Sequence, residues 1–197
     1  MARTPDLERR QELLDRIVDY LAEHGLAQAT LRPMAASLGV SSNRLVHHFG
    51  SKEALLTAAL ARSLERQIAV QDGWVRRHPH LTTCQIYRKW WKWMNASPAN
   101  LALVRLNYEA AALNPEVSGL DGEVRAHQIG VWCRDVQRQL MNDGLPPDAA
   151  LLEATLAKAT FTGLVTDLVA SGDRRRLSAM VEEFARRLER VVEEQRR

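Results

Sequence analysis

Residues 26–52 read LAQATLRPMAASLGVSSNRLVHHFGSK and contain two short helical patterns separated by a tight turn. Thr30 is expected to be the N-cap of the first helix, and Ser41 or Ser42 that of the second. Gly39 permits the sharp chain reversal between them, because a residue with a side chain would be strained there. This length and turn chemistry are typical of a helix-turn-helix. The side chains expected to face inward are Met34, Ala35, Leu38, Leu45 and Phe49.

The charge pattern of this segment differs from that of the rest of the chain. No Asp or Glu occurs between Glu23 and Glu53, whereas Arg32, Arg44, Lys52 and three histidines lie in that window. A surface that contacts phosphates is expected to lack carboxylates, because like charges repel and cationic contacts release counterions from DNA. The pattern therefore favours a DNA-contacting surface, and the alternative is a helical hairpin whose lack of acids is accidental.

Several spaced positions in residues 10–60 resemble the DNA-binding signature of the TetR family of regulators. The resemblance implies that 42–48 is the recognition helix, in which Arg44 is a candidate for guanine and Asn43 for adenine. The matching positions are Thr30, Ala35-Ala36, Leu38-Gly39-Val40-Ser41, Leu45, His48-Phe49, Lys52-Glu53 and Leu55. The DNA contacts that follow from it are Thr30, Arg32, Ser41, Ser42, Asn43, Arg44, His47, His48 and Lys52.

The sequence departs from the family pattern at three places. Two aromatic residues are usual where Val46-His47 stand, a small residue where Asn43 stands, and an acidic residue where Pro33 stands. The operator sequence of a relative therefore does not transfer directly to this chain. His47 also has an alternative interpretation as an ordinary surface residue.

Helical periodicity continues along nearly the whole chain without clear strand alternation, which predicts an all-α fold of about nine helices. We predict a helix-turn-helix domain over residues 1–55 and, from the resemblance, a helical effector-binding and dimerisation domain over 56–197. The predicted helices outside the helix-turn-helix lie near 6–24, 52–74, 81–96, 98–113, 117–142, 147–171 and 173–195.

Composition places the 197-residue chain among ordinary globular proteins, with a net charge of +3 and a pI of about 9.1. The N-terminus lacks a signal-peptide pattern, no run is long enough for a membrane span, and two cysteines form no disulfide framework, so we expect a cytoplasmic protein. We predict no enzymatic activity, cofactor, metal or catalytic residue. The enzyme alternative would use Cys84 or Cys133 with His127, but the spacing of Cys133 and His127 matches helix faces poorly.

Three tryptophans fall within four residues, at Trp90, Trp91 and Trp93. Large aromatic side chains can fill a core, and they can also line a pocket for an apolar or aromatic effector, which the resemblance favours. Glu109 is a further candidate for such a pocket. The predicted effector contacts are Tyr87, Trp90, Trp91, Met94, Asn107, Tyr108, His127, Trp132 and Phe161.

The last two helices, at about 147–195, predict a homodimer. Small and apolar residues nearly encircle the first of them, and an apolar stripe follows the second, so the resemblance implies a two-fold interface there. The resulting hypothesis is a repressor that leaves a palindromic operator when its effector binds and the helix at 52–74 moves. The alternative is a helical enzyme or a protein-interaction module without DNA binding.

Overall fold

The computed structural model describes the backbone of residues 5–27, 29–112 and 122–195, and the side chains of these ranges except 5–6, 111 and 122–129. Within them the chain forms nine α-helices and no strand, which confirms the all-α prediction. No described helix combines the length and apolar character that crossing a membrane requires. The helices are α1 Pro5–His24, α2 Leu31–Leu38, α3 Ser42–Phe49, α4 Lys52–Arg77, α5 Thr83–Ala96, α6 Pro98–Ala112, α7 Gly122–Asn142, α8 Pro147–Ser171 and α9 Arg174–Gln195.

Within the described residues, the helix ends agree with the predicted breakers except at two places in the middle of the chain, and the predicted ends near 113 and 117 lie outside those residues. α4 continues to Arg77 instead of ending near Trp74, because the first residue that disfavours helix is His78, which precedes a proline. α5 begins later than predicted because Thr82 is its N-cap. The Thr82 hydroxyl accepts from the Gln85 N–H at 3.3 Å, and Gln85 Oε1 accepts from the Thr82 N–H at 3.0 Å.

One compact unit comprises Met1–Val70 together with Pro98–Gln128. Its interior contains one apolar face of α1, on which α2 and α6 pack. The outer side of α1 is joined to α4 by two ion pairs. Arg62 donates to both oxygens of Asp15 at 2.7 and 2.9 Å, and Arg66 donates to Asp19 at 2.7 Å. These two ion pairs therefore join α4 to α1.

The second compact unit comprises Gln71–Ser97 and Ile129–Arg197. In it α9 packs against both α5 and α8. α4 thus has residues in both units, and the first unit includes Pro98–Gln128 in addition to the N-terminal helices. The predicted domain boundary at residue 55 is placed at the end of the helix-turn-helix motif, whereas the compact units are defined by contacts within the chain. The boundary therefore stays a prediction about function.

Candidate nucleic-acid interface

The turn between α2 and α3 is built by one glycine and one serine. Gly39 has a left-handed backbone with a φ of 69°, and the N–H groups of Gly39 and Val40 donate to carbonyls in the last turn of α2. Ser41 has an extended backbone, and its Oγ accepts from the Arg44 N–H at 3.1 Å, so Ser41 and not Ser42 is the N-cap of α3. Thr30 lies at the N-cap position of α2 but makes no side-chain capping bond.

α3 has one buried face and one exposed face. Leu45 and Phe49 are buried, whereas Asn43, Arg44 and His47 are exposed. At about 100° per residue, His47 lies opposite the buried pair, and Asn43 and Arg44 lie on either side of it. The helix expected to read DNA is therefore presented outward and is not packed inside its unit.

Two arginines of α1 fix the C-terminal ends of the motif helices. Arg10 donates from Nε to the His48 carbonyl at 3.2 Å, and its guanidinium lies 4.9 Å from the centroid of the Phe49 ring. Arg16 donates from Nη2 to the Leu38 carbonyl at 2.6 Å. Both cations satisfy carbonyls that a helix end leaves open. Sequence reasoning missed them, because periodicity shows only that both residues lie on the polar side of α1.

The two exposed arginines of the motif, Arg32 and Arg44, have no counter-ion among the described residues. Within the described chain, the side chains of Arg32 and Arg44 form no hydrogen bond or ion pair, unlike Arg62 and Arg88. Glu53, the first acid after this segment, has a pKa below its ordinary value because its own backbone and the Ser51 hydroxyl hydrogen-bond to it. An ionised carboxylate at the N-terminal end of α4 is electrostatically favourable there. The positive charge of Arg32 and Arg44 is thus available to an external anion.

The other predicted DNA contacts lie at or near the surface. Thr30 and Ser41 are exposed, while Ser42, His48 and Lys52 are half-buried. The His47 and His48 rings meet edge to face with centroids 5.4 Å apart. The individual roles of all these residues stay predictions.

α6 holds the turn between α1 and α2 through Arg105 and Glu109. Glu109 Oε2 accepts from the Leu26 N–H at 3.1 Å, and Arg105 Nη2 donates to the Ala22 carbonyl at 3.1 Å. Arg105 Nε lies 3.1 Å from Glu109 Oε1, so the two side chains also pair with each other. Glu109 therefore positions the start of the motif. The backbone group that Glu109 binds is 83 residues away in sequence. No local sequence pattern indicates a contact over that separation.

The predicted effector residues of α5 are buried, and two of them are hydrogen-bonded within their unit. Trp90 donates from Nε1 to Gln71 Oε1 at 2.7 Å, and Trp91 donates from Nε1 to Ser178 Oγ at 2.8 Å. Met94 is fully buried. These contacts show that Trp90 and Trp91 are part of the core, and an additional contact with an effector stays a prediction.

A second group of aromatic residues, the aromatic cluster, joins α5, α7, α8 and α9. It consists of Tyr87, Trp132, Phe161 and Phe184. The Tyr87 ring lies 5.5 Å from Phe161 and 5.0 Å from Phe184, and Trp132 lies 6.1 Å from Phe161. Phe184, which is not among the predicted effector contacts, joins this cluster from α9.

The remaining effector candidates lie on α6 and α7. Asn107 and Tyr108 are half-buried, and the side-chain oxygen of Asn107 is buried without a hydrogen-bond partner in the described part of the chain. The side chain of His127 lies outside the described residues. An open cleft of about 420 Å³ is lined instead by Arg77, His78, Pro79, His80, Leu81 and Gln85, none of which was predicted as an effector contact.

Comparison with known proteins supports this description of the N-terminal segment. Residues 13–59 match the family described as bacterial regulatory proteins, tetR family. The transcriptional repressor KstR2 of Rhodococcus jostii (strain RHA1) is 42% identical over 57 residues, which are 29% of this chain and 28% of that protein. The chain spans 28–38% of the length of the curated relatives it matches, all named transcriptional repressors or regulators.

Solved structures extend the similarity of the fold to nearly the whole chain. A transcriptional regulator from Rhodococcus sp. Rha1 has a TM-score of 0.72 at 20% identity and covers 91% of this chain and 95% of its own. FadR from Bacillus subtilis, solved in complex with stearoyl-CoA, has a TM-score of 0.67 at 17% identity over 90% of this chain and 96% of its own. The molecule is thus an all-α protein with an N-terminal helix-turn-helix. Its helix-turn-helix segment, residues 13–59, is similar to that of the tetR family of bacterial regulatory proteins.

Proposed function

We propose that this protein is a transcriptional regulator that binds operator DNA through α3 and leaves it when a small molecule binds elsewhere in the chain. The observation on which this depends is the outward face of α3. It presents Asn43, Arg44 and His47 to solvent on a segment without carboxylates, and Arg44 has no partner among the described residues. Such a helix can lie in a major groove, where arginine and asparagine read guanine and adenine.

The test is the affinity of the purified chain for duplex DNA as a function of salt. For the operator, the double variant Arg44→Ala plus Lys52→Ala is expected to lose affinity by at least tenfold, with a salt slope smaller by about two units, because each copy of a dimer loses one base contact and one phosphate contact. A matched control removes two positive charges from exposed positions of the other unit, Arg174→Ala plus Arg175→Ala. Equal losses in both variants would contradict a specific role for α3.

We further propose a homodimer in which α8 and α9 of two copies meet. One side of α8 is exposed along its length, including Leu152 at 61%, Leu156 at 39% and Val169 at 50%, and Met180 of α9 is 52% exposed. Gly163 lies on the same side, and a Cβ atom added there would meet no atom of another element within 4 Å in the described part of the chain. A glycine inside a helix costs roughly 1 kcal/mol, and here it would permit close approach of a second helix.

The dimer is tested by measuring the molar mass of two variants in solution. Leu152→Glu plus Leu156→Glu is expected to convert the dimer to a monomer, because it would bury two carboxylates in the interface. Ile68→Glu, at a 38% exposed position of α4, is the control and is expected to remain dimeric. A wild-type monomer at the concentrations that saturate the operator would contradict the proposal, since two half-sites require two copies.

The effector we propose is a large apolar or aromatic molecule that contacts the aromatic cluster. Three of the four residues of this cluster, Tyr87, Trp132 and Phe161, are predicted effector contacts. The structurally similar FadR was solved in complex with stearoyl-CoA, which also supports an apolar effector. Apolar ligands of helical proteins commonly lie between helices among such side chains. α4 continues from one unit into the other and pairs with α1 through Arg62 and Arg66, so a shift of α4 would reach the motif.

Tryptophan fluorescence tests the effector class. Titration with stearoyl-CoA is expected to change the emission of the wild type and of Trp74→Phe, but to change that of Trp132→Phe much less, because Trp132 belongs to the aromatic cluster. The same titration should release operator DNA, since a ligand shifts two states by its differential affinity. If the chain binds a small polar cation such as choline and responds to no apolar compound, the proposal of an apolar or aromatic effector is contradicted.

A further inference from the structure

Val46 is an apolar side chain at the edge of the exposed face of α3, between the buried Phe49 and the exposed Asn43 around the helix. It is 41% exposed, while the other two large apolar residues of the helix, Leu45 and Phe49, are 0% and 7% exposed. Its side chain is one turn after Ser42 and Asn43, and it lies about 60° around the helix from Asn43. The structure therefore places an exposed branched hydrocarbon beside the residue expected to address adenine.

A valine in this position can recognise only one chemical group of the major groove. It has no hydrogen-bonding atom, so contact with nitrogen or oxygen at a base edge would leave those groups unsatisfied. The 5-methyl group of thymine is the apolar group that the major groove offers, and small apolar side chains contact it. Valine is also stiff about χ1, so little side-chain freedom is lost when it is fixed against a base.

We propose that Val46 determines specificity by contacting the 5-methyl group of a thymine in each operator half-site. This rests on the proposed function, because it requires α3 to lie in the major groove. Asn43 lies between Val46 and His47 around the helix, and Arg44 lies beyond His47, on the far side from Val46. The thymine is accordingly expected next to the base pair that Asn43 addresses, and on the side away from the guanine of Arg44.

The experiment removes the methyl group from the DNA instead of changing the protein alone. Each thymine of a selected operator is replaced in turn by deoxyuridine, and the dissociation constant is measured by fluorescence anisotropy with the wild type and with Val46→Ala. For one thymine position per half-site, the wild type is expected to lose about fourfold in affinity, the effect of one buried methyl-sized group. Val46→Ala is expected to bind the unmodified operator about fourfold or more weakly and to be indifferent to that replacement.

Control variants separate this contact from general effects on the protein. Val75→Ala, at a 36% exposed position of α4, is expected to retain the thymine dependence of the wild type. Val46→Thr, in which one of the two methyl groups remains, is expected to show part of the thymine dependence. If affinity depends on Arg44 but no thymine methyl distinguishes the wild type from Val46→Ala, the assignment of Val46 is wrong and the proposed function stands. If the wild type binds no duplex, both fail.

Discussion

α3 and α5 are both amphipathic helices, but they use their polar groups in opposite ways. In α5, Arg88 donates to the carboxylates of Glu182 and Glu189, and Trp91 donates to Ser178. In α3, the side chains of Asn43 and Arg44 have no hydrogen-bond partner among the described residues. A helix whose polar groups are satisfied internally contributes to the core. A helix whose polar groups remain available can bind something outside the chain.

The largest expected difference between the two helices is in stability. Trp91→Ala should lower the free energy of unfolding by about 3–5 kcal/mol, because it removes a large buried side chain and leaves a cavity. His47→Ala, on the exposed face of α3, should change it by less than about 0.5 kcal/mol. Urea unfolding followed by circular dichroism measures both. A large loss in His47→Ala would mean that α3 also stabilises the fold through contacts that its exposed face does not show.

The second difference concerns two arginines. Arg44→Ala should weaken operator binding by about 10- to 100-fold with little change in stability, because only an intermolecular contact is lost. Arg88→Ala should lower stability by about 1–2 kcal/mol, because two half-exposed carboxylates lose their partner. Fluorescence anisotropy measures the operator affinity of each variant, and urea unfolding measures the free energy of unfolding of each. An Arg44→Ala protein that unfolds as easily as Arg88→Ala would remove the distinction between the helices.

The smallest expected effect is a pH dependence in α5 and α9. Hydrogen bonds from Arg88 lower the pKa of Glu182 below its ordinary value of 4.5. A lowered folded-state pKa stabilises the protein above the unfolded pKa, and the contribution is lost as pH falls below it. The stability gap between wild type and Arg88→Ala should therefore narrow by a few tenths of a kcal/mol between about pH 6 and pH 3, a small effect because the pair is half-exposed. A gap that widens on acidification would exclude this explanation.

The same contrast explains how much could be predicted from sequence. The positions of α2 and α3, their turn glycine and their inward residues follow from local spacing and capping, so residues 30–50 were predicted closely. Arg10, Arg16 and Glu109 were missed as positioning residues, because their partners are backbone atoms distant in sequence. Composition alone could not show which tryptophans of α5 are hydrogen-bonded core residues.

The apolar helix α8 illustrates a further limit of sequence reasoning. Its small and apolar residues predicted burial on several sides, yet Leu151 and Leu152 are 49% and 61% exposed in the single chain. Periodicity reports that a face is apolar, but it does not report whether the same chain or a second copy covers it. The proposed dimer is the interpretation that accounts for this face, and the molar mass of the Leu152→Glu plus Leu156→Glu variant decides it.

Selection of duplexes from random DNA by the purified 197-residue chain tests the central claim most directly. If α3 reads the major groove as part of a two-fold dimer, the enriched sequences should contain a palindrome whose half-sites recur at about one helical turn or a multiple of it. Arg44→Ala should relax the preference for guanine at one position of each half-site. Enrichment of no sequence, or of one that Arg44→Ala selects equally well, would contradict the assignment of α3 as the recognition helix.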